Sequence, residues 1–297
     1  MSELQDKLKA LKPTKEFFIG IDSDGCAFDT MEIKHKECFC PNFIEHYRCQ
    51  AFSKYTREAW EFVNLYSKTR GCNRWLAVQR VIRLLGERPE VLARGAKFPM
   101  APAIDVFVKA YTTYSNETLA EYIEKADDEM KPLLQAALEW SLAVNKTIAR
   151  MVHDVPPFPG VRESLQKAAA RADMIVVSQT PTEALEREWK EHDIARFVHA
   201  IAGQEFGKKG EHLALAAGGK FPAGKILMIG DAPGDYKAAR ENSALFCPIN
   251  PGDEEASWKR FLDEGLDRFF DGAFAGEYQK TLLAEFEACL PENPPWA

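Results

Sequence analysis

The chain has 297 residues, of which 46% are hydrophobic, 28% are charged and 11% are aromatic. This composition excludes an intrinsically disordered chain and supplies enough apolar residues for one large domain or two modest ones. The formal net charge of -7 argues against nucleic acid as a partner, because an acidic protein gains little from the phosphate backbone.

The first predicted elements are a short helix ending at Pro13 and an apolar run of strand length at residues 16–21. The run leads directly into the polar sequence Asp22-Ser23-Asp24-Gly25. A continuous apolar run of this length is typical of a strand that is buried on both faces of a parallel sheet.

From about residue 30 to residue 155 the strand signals nearly vanish. Apolar residues recur instead at helical spacing in three stretches, Thr56–Lys68, Asn73–Leu85 and Lys131–Met151. The pattern predicts an all-helical cap domain at residues 31–155, inserted into a core domain that is made of residues 1–30 and 156–297.

After the insertion, strands and helices alternate again. The predicted strands are 174–177, 197–202, 225–230 and 244–249, and the predicted helices are 162–171, one beginning near 182, 209–217, 236–242 and a helical tail at 256–289. This alternation predicts an α/β fold, with a Rossmann-like parallel sheet as its core and the helical cap as a separate unit.

The N-terminal residues and the cysteines predict where the protein resides. Residues 1–15 are polar and amphipathic, without the apolar segment of a secretory signal, and no run approaches the about 18 apolar residues of a membrane span. The seven cysteines are scattered and do not form a disulfide framework. We therefore expect a cytoplasmic protein without a membrane partner, whose oligomeric state the sequence does not give.

Polar side chains follow three of the predicted strands, and ligands of parallel sheets bind at the carboxyl ends of the strands. Asp22 and Asp24 lie two residues apart, so their charges require a cation between them or a proton on one of them. Asp231 and Asp235 follow another buried strand and add two carboxylates. Oxygen ligands without cysteine or histidine select Mg²⁺ over zinc.

Other candidate residues carry a hydroxyl group or a positive charge. Ser178 follows a strand and precedes backbone amides that can receive phosphate oxygens. Lys208 and Lys209 supply compact charges that suit a phosphoryl oxygen. Asn73 and Arg74 in the insertion are candidates for a substrate-specificity element, although a basic stretch of this kind is also typical of a solvated helix face.

Taken in order, four segments resemble the haloacid dehalogenase-like (HAD) hydrolase superfamily. They are residues 22–25, residues 178–180, Lys209 and residues 230–235, and the Pro157–Val161 segment is similar as well. The resemblance covers about the first thirty residues and most of the chain after Pro156. The helical insertion lies where that family places a cap.

The resemblance implies a role for each matching residue. Asp22 is implied as the nucleophile that becomes phosphorylated, and Asp24 as the group that protonates the leaving oxygen and then activates water. Ser178 and Lys209 are implied to hold the transferring phosphoryl group. The implied Mg²⁺ ligands are Asp22, Asp231 with Asp235 near it, and the backbone carbonyl of Asp24. The candidate substrate contacts are Gly25, Gln179, Lys208, Asn73 and Arg74.

These residues together imply a Mg²⁺-dependent phosphatase that hydrolyses a small phosphorylated metabolite through an aspartyl-phosphate. A phosphomutase is an alternative if the cap excludes water after the first transfer. A phosphonate hydrolase is another, which would need a Schiff-base lysine such as Lys34, Lys36, Lys54 or Lys68. A catalytically silent binding protein is the third alternative, although such proteins usually lose Asp22 or the metal carboxylates, which are kept here.

Overall fold

A computed structural model describes residues 3–297, which form two compact units. The core unit consists of residues 3–31 and Asp154–Pro291, and the cap unit consists of Glu32–His153 and Glu292–Ala297. The sequence analysis assigned the last six residues to the core. In the structure they pack within the cap unit, because the ring of Trp296 contacts Phe62 and Arg88 there.

The core unit contains a five-stranded parallel sheet. Its strands are β1 (Phe17–Ile21), β2 (Ala172–Val177), β3 (Ala200–Ala202), β4 (Ile226–Gly230) and β5 (Leu245–Pro248), in the order β3-β2-β1-β4-β5. All five residues of the central strand β1 are buried, as expected for a strand that is covered on both faces. The predicted α/β fold with a parallel sheet is therefore confirmed.

The first nine helices run from the N-terminus to the end of the cap. They are α1 (Glu3–Ala10), α2 (Thr30–Ile33), α3 (Cys40–His46), α4 (Ser53–Asn64), α5 (Arg74–Glu87), α6 (Pro89–Leu92), α7 (Ala101–Ala110), α8 (Asn116–Lys125) and α9 (Lys131–Met151). A π-helical segment at Lys34–Phe39 joins α2 to α3. Within residues 32–153 the structure contains helices and no strand, as the loss of strand signals predicts.

The interior of the cap unit is a cluster of aromatic rings. Trp140 is fully buried at its centre, with ring centroids 5.9 Å from Trp60, 5.8 Å from Trp75 and 6.2 Å from Phe43. These pairs meet edge to face, the arrangement that the quadrupole of an aromatic ring favours. The helical spacing of tryptophans in the sequence therefore reflects the packing of the cap interior.

The remaining helices belong to the core unit. They are α10 (Val161–Ala168), α11 (Thr182–Glu191), α12 (Lys209–Ala217), α13 (Pro233–Glu241), α14 (Glu254–Arg260), α15 (Leu266–Phe270) and α16 (Glu277–Cys289). Side chains of β1 alternate between the two faces of the sheet. Phe17 and Ile19 belong to the same cluster as Trp258, whereas Phe18 packs in the opposite cluster with Leu213.

The first helix, the third strand and the helical tail differ most clearly from their predicted extents. The first helix ends at Ala10, and its predicted first two residues lie outside the described residues. In place of the predicted strand at 197–202 the structure has the shorter β3, which follows a 3₁₀ turn at Ala195–Phe197. The helical tail is interrupted after Phe270, where Gly272 and Gly276 have φ angles of 75° and 84°. Positive φ angles suit glycine, and the two glycines lie between the end of α15 and the start of α16.

None of the helices within residues 3–297 is both long enough and apolar enough to cross a bilayer. The seven cysteines are all free thiols, and five of them are buried. Burial raises the pKa of Cys40 and of Cys49 to about 12, because the thiolate is poorly solvated in an apolar interior. These thiols therefore stay protonated and contribute to packing.

Candidate active site

The register of the sheet brings three predicted site residues to one edge. The last residue of β1 pairs with the penultimate residues of β2 and of β4, so the three strands end almost level. Asp22, Ser178 and Asp231 each follow directly on the end of one of these strands. The backbone N–H of Asp22 donates to Ile229 at 3.0 Å and that of Ser178 donates to Ala202 at 2.9 Å, which continues the sheet hydrogen bonding into the site.

Three buried carboxylates lie close together at this edge. Asp22, Asp231 and Asp235 each offer an oxygen within 4.8 Å of the others, and none of these residues is more than 3% exposed. Lys209 reaches into the group from α12, where its Nζ donates to Asp22 Oδ2 at 2.6 Å and to Asp235 Oδ1 at 2.7 Å. Three ionised carboxylates and one ammonium group leave two negative charges, which a divalent cation would balance.

The electrostatics of the cluster are dominated by burial and by the neighbouring charges. Burial opposes the charged form of Lys209, yet the carboxylates of Asp22, Asp235 and Asp231 outweigh it and raise the pKa of the ammonium group. Burial raises the pKa of Asp235 to about 6, although Lys209 acts in the opposite direction. The lysine therefore stays charged, while its single positive charge does not fully compensate the carboxylates.

The donor set fits Mg²⁺. The group offers hard carboxylate oxygens without thiol or imidazole, and Mg²⁺ in proteins is bound by few carboxylates together with water and substrate phosphate. The side chain of Asp24 is not part of this group. Its Oδ1 instead accepts a hydrogen bond from the hydroxyl of the fully buried Thr30, which fixes the orientation of the carboxylate.

The loop at residues 22–28, here called the catalytic loop, is a tight turn closed by backbone hydrogen bonds. The carbonyl of Ser23 accepts from the amides of Ala27 at 2.9 Å and Phe28 at 3.0 Å. Gly25 has a φ angle of 80°, a left-handed conformation that side chains disfavour. Gly25 thus shapes the turn that carries Asp24.

The loop after β2 is joined to the segment that precedes Lys209. Ser178 is buried, and its Oγ accepts the backbone N–H of Thr180 at 3.2 Å. Gln179 Nε2 donates to the carbonyl of Gly207 at 2.9 Å. A Cβ on Gly203 would lie 2.6 Å from the carbonyl oxygen of Thr180, so only glycine allows the two segments to approach this closely.

The two adjacent lysines have different surroundings. The side chain of Lys209 is 16% exposed and lies in the carboxylate cluster. Lys208 is exposed at the start of α12, and its backbone N–H donates to Glu211 Oε2 at 2.8 Å. The structure therefore brings Lys209, and not Lys208, to the carboxylates.

Asn73 and Arg74 belong to the cap unit and make their contacts within it. Asn73 caps α5, because its Oδ1 accepts the backbone N–H of Trp75 at 3.0 Å. Arg74 donates to Ser141 Oγ at 2.7 Å and to Asn145 Oδ1 at 2.8 Å. Burial lowers the pKa of Arg74 to about 10. A role for either residue in binding substrate stays a prediction.

The sequence analysis assigned no role to Ser23, which belongs to the catalytic loop. It also assigned none to three side chains that donate hydrogen bonds to that loop, which are Thr30, Trp189 and Trp258. Thr30 could have been noticed in the sequence, because it carries a hydroxyl group six residues after Asp24. The two tryptophans are more than 160 residues from the loop in sequence and carry no local signal.

Comparison with known families agrees with this geometry. A model of the haloacid dehalogenase-like hydrolase family matches residues 100–247, a stretch that contains Ser178, Lys209, Asp231 and Asp235. Asp22 precedes that stretch in sequence and joins it at the sheet edge. The chain belongs to the haloacid dehalogenase-like superfamily of hydrolases. The five-stranded parallel core is the HAD-like fold that the motifs predicted.

Several solved structures are similar to this HAD-like chain. A haloacid dehalogenase-like family hydrolase from Streptococcus pneumoniae shares 16% identity, with 86% of this chain and 100% of that chain covered and a TM-score of 0.46. A structure from Haemophilus somnus, described as a predicted phosphoglycolate phosphatase, shares 14% identity over 80% and 88% of the two chains, with a TM-score of 0.47. A HAD-hydrolase from Bacillus subtilis, described as bound to magnesium, shares 14% identity over 80% and 88%, with a TM-score of 0.40.

A search of curated proteins found no match to the chain. At these levels of sequence identity and TM-score, the substrate of a solved structure cannot be assigned to this chain. Any narrower assignment therefore depends on the residues of the site itself.

Proposed function

We propose that this HAD-superfamily hydrolase is a Mg²⁺-dependent phosphatase that acts on a small phosphorylated molecule through an aspartyl-phosphate on Asp22. The observation that carries the proposal is the pair of short contacts from Lys209 Nζ, at 2.6 Å to Asp22 and 2.7 Å to Asp235. An ammonium group held between a candidate nucleophile and a candidate metal ligand is placed to neutralise charge on a phosphoryl group.

The first half of the reaction forms the covalent intermediate. A carboxylate oxygen of Asp22 attacks phosphorus, which forms the Asp22 O–P bond and breaks the ester P–O bond. Asp24, in its protonated form, gives its proton to the leaving oxygen. The hydrogen bond from Thr30 holds the other side of the Asp24 carboxyl group in place during this transfer.

The second half regenerates the enzyme. The carboxylate of Asp24 removes a proton from water, the water oxygen bonds to phosphorus, and the Asp22 O–P bond breaks to release inorganic phosphate. Lys209 and Ser178 hold the phosphoryl oxygens in both halves. Asp22, Asp231 and Asp235 would hold Mg²⁺, whose positive charge would neutralise the negative charge that develops on phosphate. The proposed substrate is a small phosphomonoester.

One of the lysines that a phosphonate hydrolase could use for a Schiff base, Lys36, is poorly suited to that role. A Schiff-base lysine needs a lowered pKa so that the amine is neutral. Burial favours such a lowering at Lys36, but its ion pair with Glu32 and its contact with Tyr66 outweigh burial and raise the pKa. Lys36 is thus held as an ammonium group, which is not a nucleophile.

Steady-state hydrolysis of a generic aryl phosphate, with and without Mg²⁺, tests the proposal. Wild-type protein is expected to release phosphate only when Mg²⁺ is present, and Asp22→Asn is expected to release none while remaining folded. Borohydride added during turnover should reduce the phosphorylated carboxyl group of Asp22 to an alcohol, which peptide mass spectrometry can locate. Turnover by Asp22→Asn, or a reduced residue elsewhere, would reject Asp22 as the nucleophile.

A panel of phosphorylated metabolites then separates the alternatives. A phosphatase releases phosphate from at least one member of the panel, whereas a phosphomutase interconverts isomers with little release. Mg²⁺ binding gives an independent measure, since saturation at about 100 times Kd raises stability by about 2.7 kcal/mol. Asp231→Asn together with Asp235→Asn should abolish that rise in the melting temperature.

A further inference from the structure

Two buried tryptophans of the core unit donate hydrogen bonds to the catalytic loop. The indole N–H of Trp189, on α11, donates to Ser23 Oγ at 2.9 Å, and that of Trp258, on α14, donates to the carbonyl of Cys26 at 2.7 Å. Both tryptophans and Ser23 are 0% exposed. The catalytic loop is therefore held by donors from two helices that lie far apart in the sequence.

Trp189 is connected to the candidate nucleophile through Ser23, whose side chain and backbone each make one hydrogen bond of the connection. The hydroxyl of Ser23 accepts from Trp189 and donates to Glu188 Oε2 at 3.0 Å, so its rotation is fixed. The backbone N–H of Ser23 donates to Asp22 Oδ1 at 2.8 Å. The position of Ser23 thus sets the direction in which Asp22 presents its other oxygen to phosphorus.

The contact from Trp258 acts on the other part of the loop. Cys26 lies two residues after Asp24, and its carbonyl is fixed by the indole. This hydrogen bond therefore holds the turn that carries Asp24 through the backbone carbonyl of Cys26.

Packing alone does not account for these contacts. A buried indole N–H ordinarily finds a partner, and its loss is costly. Within the described residues, however, the indole nitrogens of the buried Trp75 and Trp140 in the cap have no hydrogen-bond partner. These two cap indoles thus donate to no protein group that the structure describes, while both core tryptophans named here place their donors on the catalytic loop.

We propose that Trp189 and Trp258 are positioning residues of the phosphoryl-transfer site: Trp189 orients Asp22 through Ser23, and Trp258 holds the turn of Asp24 through Cys26. This inference rests on the proposed function for its kinetic consequence. The hydrogen bonds themselves are independent of that function. Replacement by phenylalanine keeps a large aromatic ring and removes the N–H group, so it isolates the donor.

The first experiment compares Trp189→Phe and Trp258→Phe with Trp140→Phe in the full-length protein. Each core variant is expected to lower kcat by about 10- to 100-fold, with a smaller change in KM, because misplacement of reacting groups slows chemistry more than binding. Trp140→Phe removes an indole without a partner and should keep the wild-type kcat. Wild-type kcat in both folded core variants would overturn the proposal.

A second measurement separates positioning from general loss of structure. Dinitrophenyl phosphate needs little help from an acid, whereas phenyl phosphate needs a proton on its leaving oxygen. Trp258→Phe should therefore slow phenyl phosphate more than dinitrophenyl phosphate, since it disturbs Asp24. Trp189→Phe should slow both equally, since it disturbs Asp22. Equal losses on both substrates in Trp258→Phe would reject the link to Asp24.

A double-mutant cycle tests the path through Ser23. If Trp189 acts through the Ser23 hydroxyl, Trp189→Phe with Ser23→Ala should be no slower than the slower single variant. Losses that multiply would reject that path. The cycle also remains informative if one single variant is less stable, because the coupling is read from kcat of the folded fraction.

Calorimetric titration with Mg²⁺ gives a readout that does not depend on turnover. Because Asp22 belongs to the carboxylate group, Trp189→Phe is expected to weaken Mg²⁺ binding about tenfold, and Trp140→Phe should leave it unchanged. If wild-type protein binds Mg²⁺ but hydrolyses no phosphate ester, the proposed function fails and this shift still tests positioning. Unchanged Mg²⁺ affinity in Trp189→Phe would reject the orientation of Asp22 by the indole.

Discussion

Gly230 and Asp235 are packed so closely that a Cβ added to Gly230 would lie 2.3 Å from the Cβ of Asp235. Strand β4 ends at this glycine, and Asp235 folds back from α13 over the strand end. The Asp235 Oδ2 accepts the backbone N–H of Ala232 at 3.1 Å, which fixes the carboxylate. Glycine is therefore required at this position for Asp235 to reach the carboxylate cluster.

Gly230→Ala is expected to displace Asp235 and to lower activity about 100-fold, since a shift of about 1 Å in a catalytic group has that effect. The overpacking should also cost about 1–3 kcal/mol of stability. Steady-state kinetics and chemical denaturation measure the two effects. Gly234→Ala is the matched control: no atom lies within 4 Å of its added Cβ, so it should keep activity and stability. An active Gly230→Ala enzyme would contradict the requirement.

The two adjacent lysines give a second matched pair. Lys209→Met removes the charge that contacts Asp22 and Asp235, so we expect kcat to fall about 10²- to 10³-fold. Lys208→Met changes an exposed side chain and should have little effect on kcat. Hydrolysis of an aryl phosphate measures both variants. An equal loss in Lys208→Met would show that the phosphoryl group contacts the other lysine.

The pH dependence of stability should reveal the buried His212. Burial, helped by the charge of Lys209, lowers its pKa to about 4, although a backbone hydrogen bond with Gly207 and the charges of Glu211 and Asp22 act in the opposite direction. The unfolded histidine binds a proton near pH 6.5, whereas the folded one does not until about pH 4. Stability should therefore fall as the pH is lowered between these values, by up to about 3 kcal/mol.

Urea denaturation of wild-type protein and His212→Leu at several pH values measures this contribution. The variant has no group to titrate at this position, so its stability should decline less steeply between pH 6.5 and about pH 4. The comparison uses the difference between the two slopes, which removes the contributions of the other titrating groups. Identical slopes would mean that folding does not lower the pKa of His212.

The C-terminal residues should stabilise the cap unit. The guanidinium of Arg88 lies between two rings, 4.4 Å from Tyr55 and 4.7 Å from Trp296, and Trp296 also meets Phe62 at 5.7 Å. Trp296→Ala removes one cation–π contact and one aromatic pair, so we expect a loss of about 1–2 kcal/mol. The rate of amide hydrogen exchange in α4 and α5 measures this loss of stability. Pro295→Ala alters a neighbouring exposed residue and should leave exchange unchanged.

Much of the core fold follows from local sequence patterns. The apolar run that ends at Asp22 predicted β1, and Lys209–Ala217 was predicted as a helix with the bounds that α12 shows. Such elements are predictable because a strand that is covered on both faces is uniformly apolar, and because helical periodicity extends over several turns. The same patterns placed Asp22, Ser178 and Asp231 at strand ends.

The roles of Trp189 and Trp258 could not be predicted in the same way. Their donors meet the loop at Ser23 and Cys26 across 166 and 232 residues of chain. A buried tryptophan looks the same in sequence whether its N–H is partnered or not, and Trp140 is an example of the latter. Nothing local distinguishes these cases, because the acceptor is supplied by a remote segment.

The sequence by itself therefore determined the order of strands and helices, the all-helical character of the insertion and the carboxylates of the candidate site. Only the tertiary structure decided that Lys209 rather than Lys208 meets Asp22, and that residues 292–297 pack with the cap. The physical reason is that hydrophobic periodicity and composition each describe a single helix or strand. Which side chains converge depends on the register of strands and the direction of helices that are distant in the chain.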